Sequence, residues 1–272
     1  MKKSLILPTL AAMLTLTACG SGDKGMTAHD SALSLQTRID SLIAAGNFTD
    51  ALADIDTFPK LFPLETEIRR QLLETRAQAT EGVATQRLPQ LQGEIAQLQM
   101  QADSLQALFT SVQPVSSLPP YLVWTAGQKG LSAPGIQPRV NTGDDAVDTP
   151  WTIAVDAGRN IALHTMAVST SAGDFAVQLP AGDGAMASAQ PEVCAPMAKA
   201  LAEGATLNSI TLVGSKGKVS LKATPALAAS IAGAYSLANT RTQLREKLIE
   251  AEKTERLLQL ARDQKANAAP QL

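Results

Sequence analysis

Two histidines and two cysteines are all that 272 residues offer toward metal or nucleophile chemistry. Paired histidines at metal spacing are absent, as is any Cys-x-x-Cys, so a zinc enzyme here would need mostly carboxylate ligands, an uncommon set. There is no Gly-x-Ser-x-Gly elbow to expose a serine nucleophile. Charge of either sign is not in surplus, at a formal net −2, which removes the electrostatic footprint expected for nucleic-acid binding. The longest apolar run, Leu5 to Ala18, falls short of the roughly 20 residues that span a bilayer as a helix.

What is present begins with that run. Lys2 and Lys3 precede it and small residues close it; a basic head, a short apolar core and a small-residue cut site make a secretory signal over residues 1–18. Leu16-Thr17-Ala18-Cys19 resembles the lipobox of bacterial lipoproteins. The resemblance implies cleavage before Cys19, a diacylglyceryl group on its thiol and an acyl chain on its freed amine. With about 0.8 kcal/mol for each buried methylene, two or more chains hold a protein stably on a membrane. Gly20 stands where an aspartate would favour inner-membrane retention, so the resemblance implies the outer membrane, on either its periplasmic or its outer face. An unlipidated cysteine after an ordinary signal is the alternative.

Residues 19–29, small and polar, read as a flexible tether. Helical patterning starts at an N-cap on Asp30 or Ser31, runs through Leu35, Ile39 and Leu42, and stops at Gly46. Gly46, Phe48, Ala51, Leu52 and Pro63 resemble the hinge and second helix of one tetratricopeptide unit. No second copy follows at the roughly 34-residue period that an array needs, so 30–63 reads as a helical hairpin ended by Pro59 and Pro63. From 64 to 112 a long helix is expected, with a seam of Leu88, Leu91, Ile95, Leu98, Ala102, Leu105, Phe109 and Val112 at steps of three and four. Pro89 should kink or restart it.

Thr224-Pro225 marks another helix start. That helix is expected over 224–265 with Leu227, Ile231, Ala234, Leu237, Leu244, Leu248, Ala251 and Leu258 as its seam, before a frayed tail at 266–272. Between the helices, 113–223 is rich in glycine, proline, serine and threonine. It reads as a small β-rich domain: strands at 121–124, 151–155, 160–168, 175–179, 210–213 and 219–221, hairpin turns at 156–160 and 214–218, and one short helix near 192–203. The fold class expected is α+β, with long antiparallel, coiled-coil-like helices flanking the β-rich insert. Two such helices most simply pair to form a stalk; a helical layer wrapped on a sheet is the alternative. Periplasmic adaptor proteins of efflux pumps also join a coiled-coil hairpin to β modules, but there the hairpin is the insert, and this chain nests the parts the other way.

Candidate sites are few. Cys194, spaced helically with Val193, Met197 and Leu201, reads as a small buried hydrophobe, and nothing ties it to His29 or His164. His164 reads as an exposed or hydrogen-bonded strand residue. "GSKGKVS" superficially resembles a phosphate-binding loop, but Val219 follows Gly217-Lys218 where a magnesium-binding hydroxyl is needed. Asp144, Asp145 and Asp148 lack the spacing and closing glutamate of a calcium loop. Trp124 and Trp151 could form a flat platform for a ligand ring, although core packing explains them as well. No catalytic, cofactor or metal site is expected. The function read from this pattern is a lipid-anchored envelope protein, non-enzymatic, presenting its β-domain to another envelope protein; the alternative is capture of a glycan, peptide or small solute. The membrane, through Cys19, is the one partner with an address.

Overall fold

The computed structural model describes residues 27–113, 119–126, 131–143, 146–180 and 184–268. Cys19 and its lipobox, the tether up to Met26, Asp144 with Asp145, and the tail beyond Ala268 lie outside the described residues. The chain is α+β and divides into two compact units, one up to Ala79 and one from Thr80.

The N-terminal unit is built from α1 (Ala28–Ala44), α2 (Phe48–Leu61) and the first turns of α3 (Thr66–Gln106). The N-cap is Thr27, not Asp30 or Ser31. Thr27 Oγ1 takes the Asp30 N–H at 3.1 Å and the Asp30 carboxylate takes the Thr27 N–H at 3.0 Å, a reciprocal capping box in which Asp30 is the third helical residue. At the other end Gly46 adopts φ +76°, and Asn47 and Gly46 donate back to Leu42 and Ile43, a Schellman closure. Pro59 sits inside α2, which runs on to Leu61. The expected hairpin is therefore only two-thirds of the unit: Ile68, Leu72 and Ala79 of α3 complete a core with Ala32, Ile39, Ala51, Ile55 and Phe58.

In the second unit the rest of α3 runs antiparallel to α5 (Pro225–Ala268). The side-chain pairs fix the register: Gln106 with Arg241, Glu94 with Lys247, Arg87 with Glu250, and Glu81 with Arg262 and Lys265. Between these pairs Ala84, Leu91, Ala102 and Ala261 are buried. The seam expected on α3 holds from Leu88 to Leu105, and the helix passes through Pro89 unbroken. It ends at Gln106, however, and Phe109 and Val112 belong to β1 (Phe109–Val112). On α5 the seam steps from Leu244 to Lys247, Ala251, Thr254, Leu258 and Ala261; Leu248 is half exposed and not part of it.

Arg87, Glu94, Lys247 and Glu250 close a ring of four charges, with N···O distances of 2.6–3.0 Å. Hydrogen bonds from Lys247 and then Arg87 hold the Glu94 carboxyl below its ordinary range. Arg87 and then Lys247 do the same for Glu250, and Lys265 for Glu81. A carboxyl whose folded pKa is depressed adds stability above its unfolded value, about 4.3, and loses it as pH falls through the folded value. The thermal midpoint is therefore expected to be flat from pH 7 to about 5 and to drop below pH 4. In Glu94→Gln/Glu250→Gln the midpoint should be lower at pH 7 and the acid-induced drop smaller.

The β-rich part holds two antiparallel sheets. The first takes β1, β2 (Tyr121–Trp124), β3 (Gly135–Asn141), β4 (Trp151–Asp156) and β7 (Met186–Ala189) in that order. The second is ordered β6 (Gly173–Gln178), β5 (Leu163–Thr170), β8 (Leu207–Gly214), β9 (Gly217–Leu221). β1, β3 and β7 are additional to the six expected strands. Residues 156–160 do not close a hairpin, because β4 and β5 lie in different sheets; 214–218 does close one, with Gly214 opposite Gly217. The helix α4 (Pro191–Ala202) buries Cys194, Met197 and Leu201, while Val193 faces outward. One core joins both sheets, α4 and the first four turns of α5 through Ile231, Ala234 and Leu237. Up to Leu237 α5 is a layer on the first sheet, and from about Arg241 its side chains meet α3.

Candidate functional site

The ladder between β2 and β3 is short. Tyr121 pairs with Asn141 and Leu122 with Val140, and there it stops. Pro138, two residues further along β3, has no N–H to give a rung. Past Leu122, β2 follows β1 instead: Trp124 stands opposite Phe109, and the Thr125 N–H donates to the Leu108 carbonyl at 2.9 Å. β3 meanwhile stays paired to β4 along its whole length. The two strands part, and the space between them is a cleft of about 490 Å³.

Register places Trp124, Ile136 and Pro138 on the face of the sheet that carries Trp151 and Ile153, the face that α5 covers. Trp124 is held on two sides. Its ring meets Phe109 edge-on, with centroids 5.3 Å apart. Against α5 it rests on Gly233, where a Cβ would stand 2.3 Å from Trp124 Cζ3. Only glycine admits the indole there. One part of the cleft wall is thus Trp124 with Ile136, Pro134 and Pro138. The opposite part is Leu221 and Lys222 at the end of β9, with Ala226, Leu227 and Ser230 on the first turns of α5. Thr224 caps that helix, its Oγ1 accepting the Leu227 N–H at 3.1 Å. At the mouth of β3, Gly135 is forced by a tight turn, since a Cβ would meet the Ser132 carbonyl at 2.4 Å. Gln137, buried, also lines the space and accepts from Arg139 Nε at 3.0 Å; that guanidinium lies 4.4 Å from the Tyr121 ring centroid.

The lining offers flat apolar surfaces, one ammonium group and a few hydroxyl and amide groups. Among the described residues its lining holds no carboxylate, imidazole or thiol. Trp151, the other candidate platform residue, is only 3% exposed and packs edge-on to Tyr235 at 6.1 Å. The two tryptophans share a face, but only Trp124 reaches the cleft.

The remaining sequence candidates fall elsewhere. His164 is exposed on β5, its Nδ1 2.8 Å from Thr165 Oγ1. Cys194 is buried, and burial, with a smaller contribution from Glu192, pushes its thiol up to about 12, which leaves almost no thiolate to attack anything. The "GSKGK" turn cannot cradle a phosphate: the Lys216 and Ser215 N–H groups already donate to the Ile161 and Ala162 carbonyls at 2.9 and 3.3 Å. Asp148 is exposed. Among the described residues no group of three or more His, Cys, Asp or Glu side chains could hold a metal ion, and no helix is long and apolar enough to cross a membrane. A second, more open cleft of about 360 Å³ lies in the N-terminal unit, lined by Phe58, Pro59 and Leu72 with Arg69, Arg70 and Arg76. No protein-family model, curated protein or solved structure matches the chain.

Proposed function

We propose that the chain is a lipid-anchored, non-catalytic interaction protein of the bacterial envelope, and that the cleft beside Trp124 is its binding element. The cleft is the observation that carries this reading. Its volume falls in the range of about 300–1,000 Å³ typical of ligand sites, and it combines apolar walls with a small polar complement. An occupant that fits has a flat or compact apolar group, such as an aromatic, proline or sugar ring, to lie on Trp124 and the two prolines. A polar end would lie toward Lys222. A segment of another envelope protein and a small solute both meet that description. The address rests on Leu16-Thr17-Ala18-Cys19 and on the anchoring energy of two or more acyl chains.

Thermal-shift titration with short aromatic or proline-containing peptides, peptidoglycan fragments and free sugars tests the cleft. A true occupant at about a hundred times its Kd stabilises by about 2.7 kcal/mol, or roughly 5–10 °C for a unit of this size. The shift should saturate, vanish in Trp124→Ala, weaken in the exposed-site variant Lys222→Ala and persist in Trp151→Phe. Shifts that survive Trp124→Ala, or their absence across the set, would remove the cleft from the function. Labelled palmitate entering the wild-type chain but not Cys19→Ser tests the anchor.

A further inference from the structure

We propose that the corner joining α2 to α3, with Leu61 and Leu64 at its tip, is a second membrane contact that sits in the headgroup layer of the bilayer holding Cys19; this rests on the lipid-anchor reading above. Leu64 is 90% exposed and Leu61 62%. The unit's core is closed by Phe58, Ile39 and Ile68; of its exposed leucines, which include Leu73 on α3, these two stand together at one corner, as the short apolar tip of an interfacial contact does.

The chain itself says which surface. His29, in the first turn of α1, meets Glu65 at 2.9 Å. The leucine corner therefore stands beside the point where the described chain begins, while the α1–α2 turn at Gly46 and Asn47 lies at the other end of α1. Cys19 is eight residues before Thr27, a reach of at most about 28 Å when fully extended. Of the two ends of the unit, the corner is thus the one nearer the acyl attachment.

Charge agrees. The three carboxylates at this end are each bonded, Glu65 to His29 at 2.9 Å, Glu67 to Arg70 at 3.0 Å and Asp30 to Thr27. Lys60 and Arg69 remain exposed around the leucines, Arg69 reaching to within 3.4 Å of the Pro63 carbonyl. Long cationic side chains beside a short apolar tip suit an interface in which the tip enters the acyl boundary and the charges stay with the phosphates.

The test uses the full lipidated chain in vesicles of phosphatidylethanolamine and phosphatidylglycerol. A polarity-sensitive maleimide is placed on Thr66→Cys, exposed at the corner, or on Asn47→Cys, exposed at the other end; buried Cys194 stays unlabelled. With lipids brominated near the headgroup, emission at the Thr66 site should fall about twofold, and that at the Asn47 site should not change. Adding Leu61→Ser/Leu64→Ser should restore the Thr66 signal while the chain still floats with the vesicles. Floating chain with no quenching at Thr66, or quenching indifferent to the serine changes, overturns the corner contact alone. A chain that does not float with the vesicles overturns the anchor and the corner together.

Discussion

Gly233→Leu is expected to lower the stability of the second unit by about 3 kcal/mol and its thermal midpoint by roughly 6–12 °C. The cause is space. A single added carbon at Gly233 would already stand 2.3 Å from Trp124 Cζ3, well inside van der Waals contact, and leucine adds three more. Either the indole leaves its place against Phe109 or α5 lifts from the sheet. Both moves disturb the core that Ile231, Ala234 and Leu237 bring to this face. Trp124→Val, which removes the ring, should recover part of the loss in the double variant, because the two residues are in direct contact and their effects cannot add. Differential scanning calorimetry of the four proteins measures this coupling. Strict additivity would show that the indole does not lie on Gly233. The same substitution alters the cleft wall, so it should also abolish any ligand-induced shift.

Phe58→Ala should cost about 3–4 kcal/mol and should do so in one unit only. Phe58 has no exposed surface and faces Phe62 at 5.2 Å within the three-helix core. Both tryptophans belong to the second unit, and the first has none. Far-ultraviolet circular dichroism, which sees all helices, is expected to report an earlier loss of signal in the variant. Tryptophan emission should keep its wild-type midpoint. Coincident shifts of the two probes would mean that α3, which contributes turns to both units, couples them into a single cooperative transition.

The parts of the fold that the sequence made legible are those fixed by local rules. β2 falls on residues 121–124 as read, the Ser215-Lys216 turn closes β8 onto β9, and Thr224 caps α5. The heptad steps from Leu88 to Leu105 hold because α5 runs beside them. Phe109 misleads because its four-residue step from Leu105 suits a helix, yet the same residue serves equally well on a strand, where Trp124 waits opposite it. Leu248 misleads for a different reason. Hydrophobicity favours a four-residue step from Leu244, but the facing charge of Glu94 draws Lys247 into the seam instead. β3 hides behind Gly135 and Pro138, which break the alternation of a strand pattern, and β7 behind the small side chains of Ala187, Ser188 and Ala189. The cleft was legible only through Trp124. Its other walls come from the β3 approach, the end of β9 and the start of α5, which lie far apart in the chain and meet only once both sheets are assembled.

Among the described residues β9 ends its sheet, with no neighbouring strand on one side of its backbone. Lys216, Lys218 and Lys222 cluster on and around that border. A row of like ammonium groups repels the same row on an identical molecule, and so discourages the edge-to-edge stacking from which fibrils grow. Chemical acetylation of those amines would lift that repulsion, leaving the bond from Arg159 Nη2 to the Lys218 carbonyl, at 3.2 Å, as cover on that border.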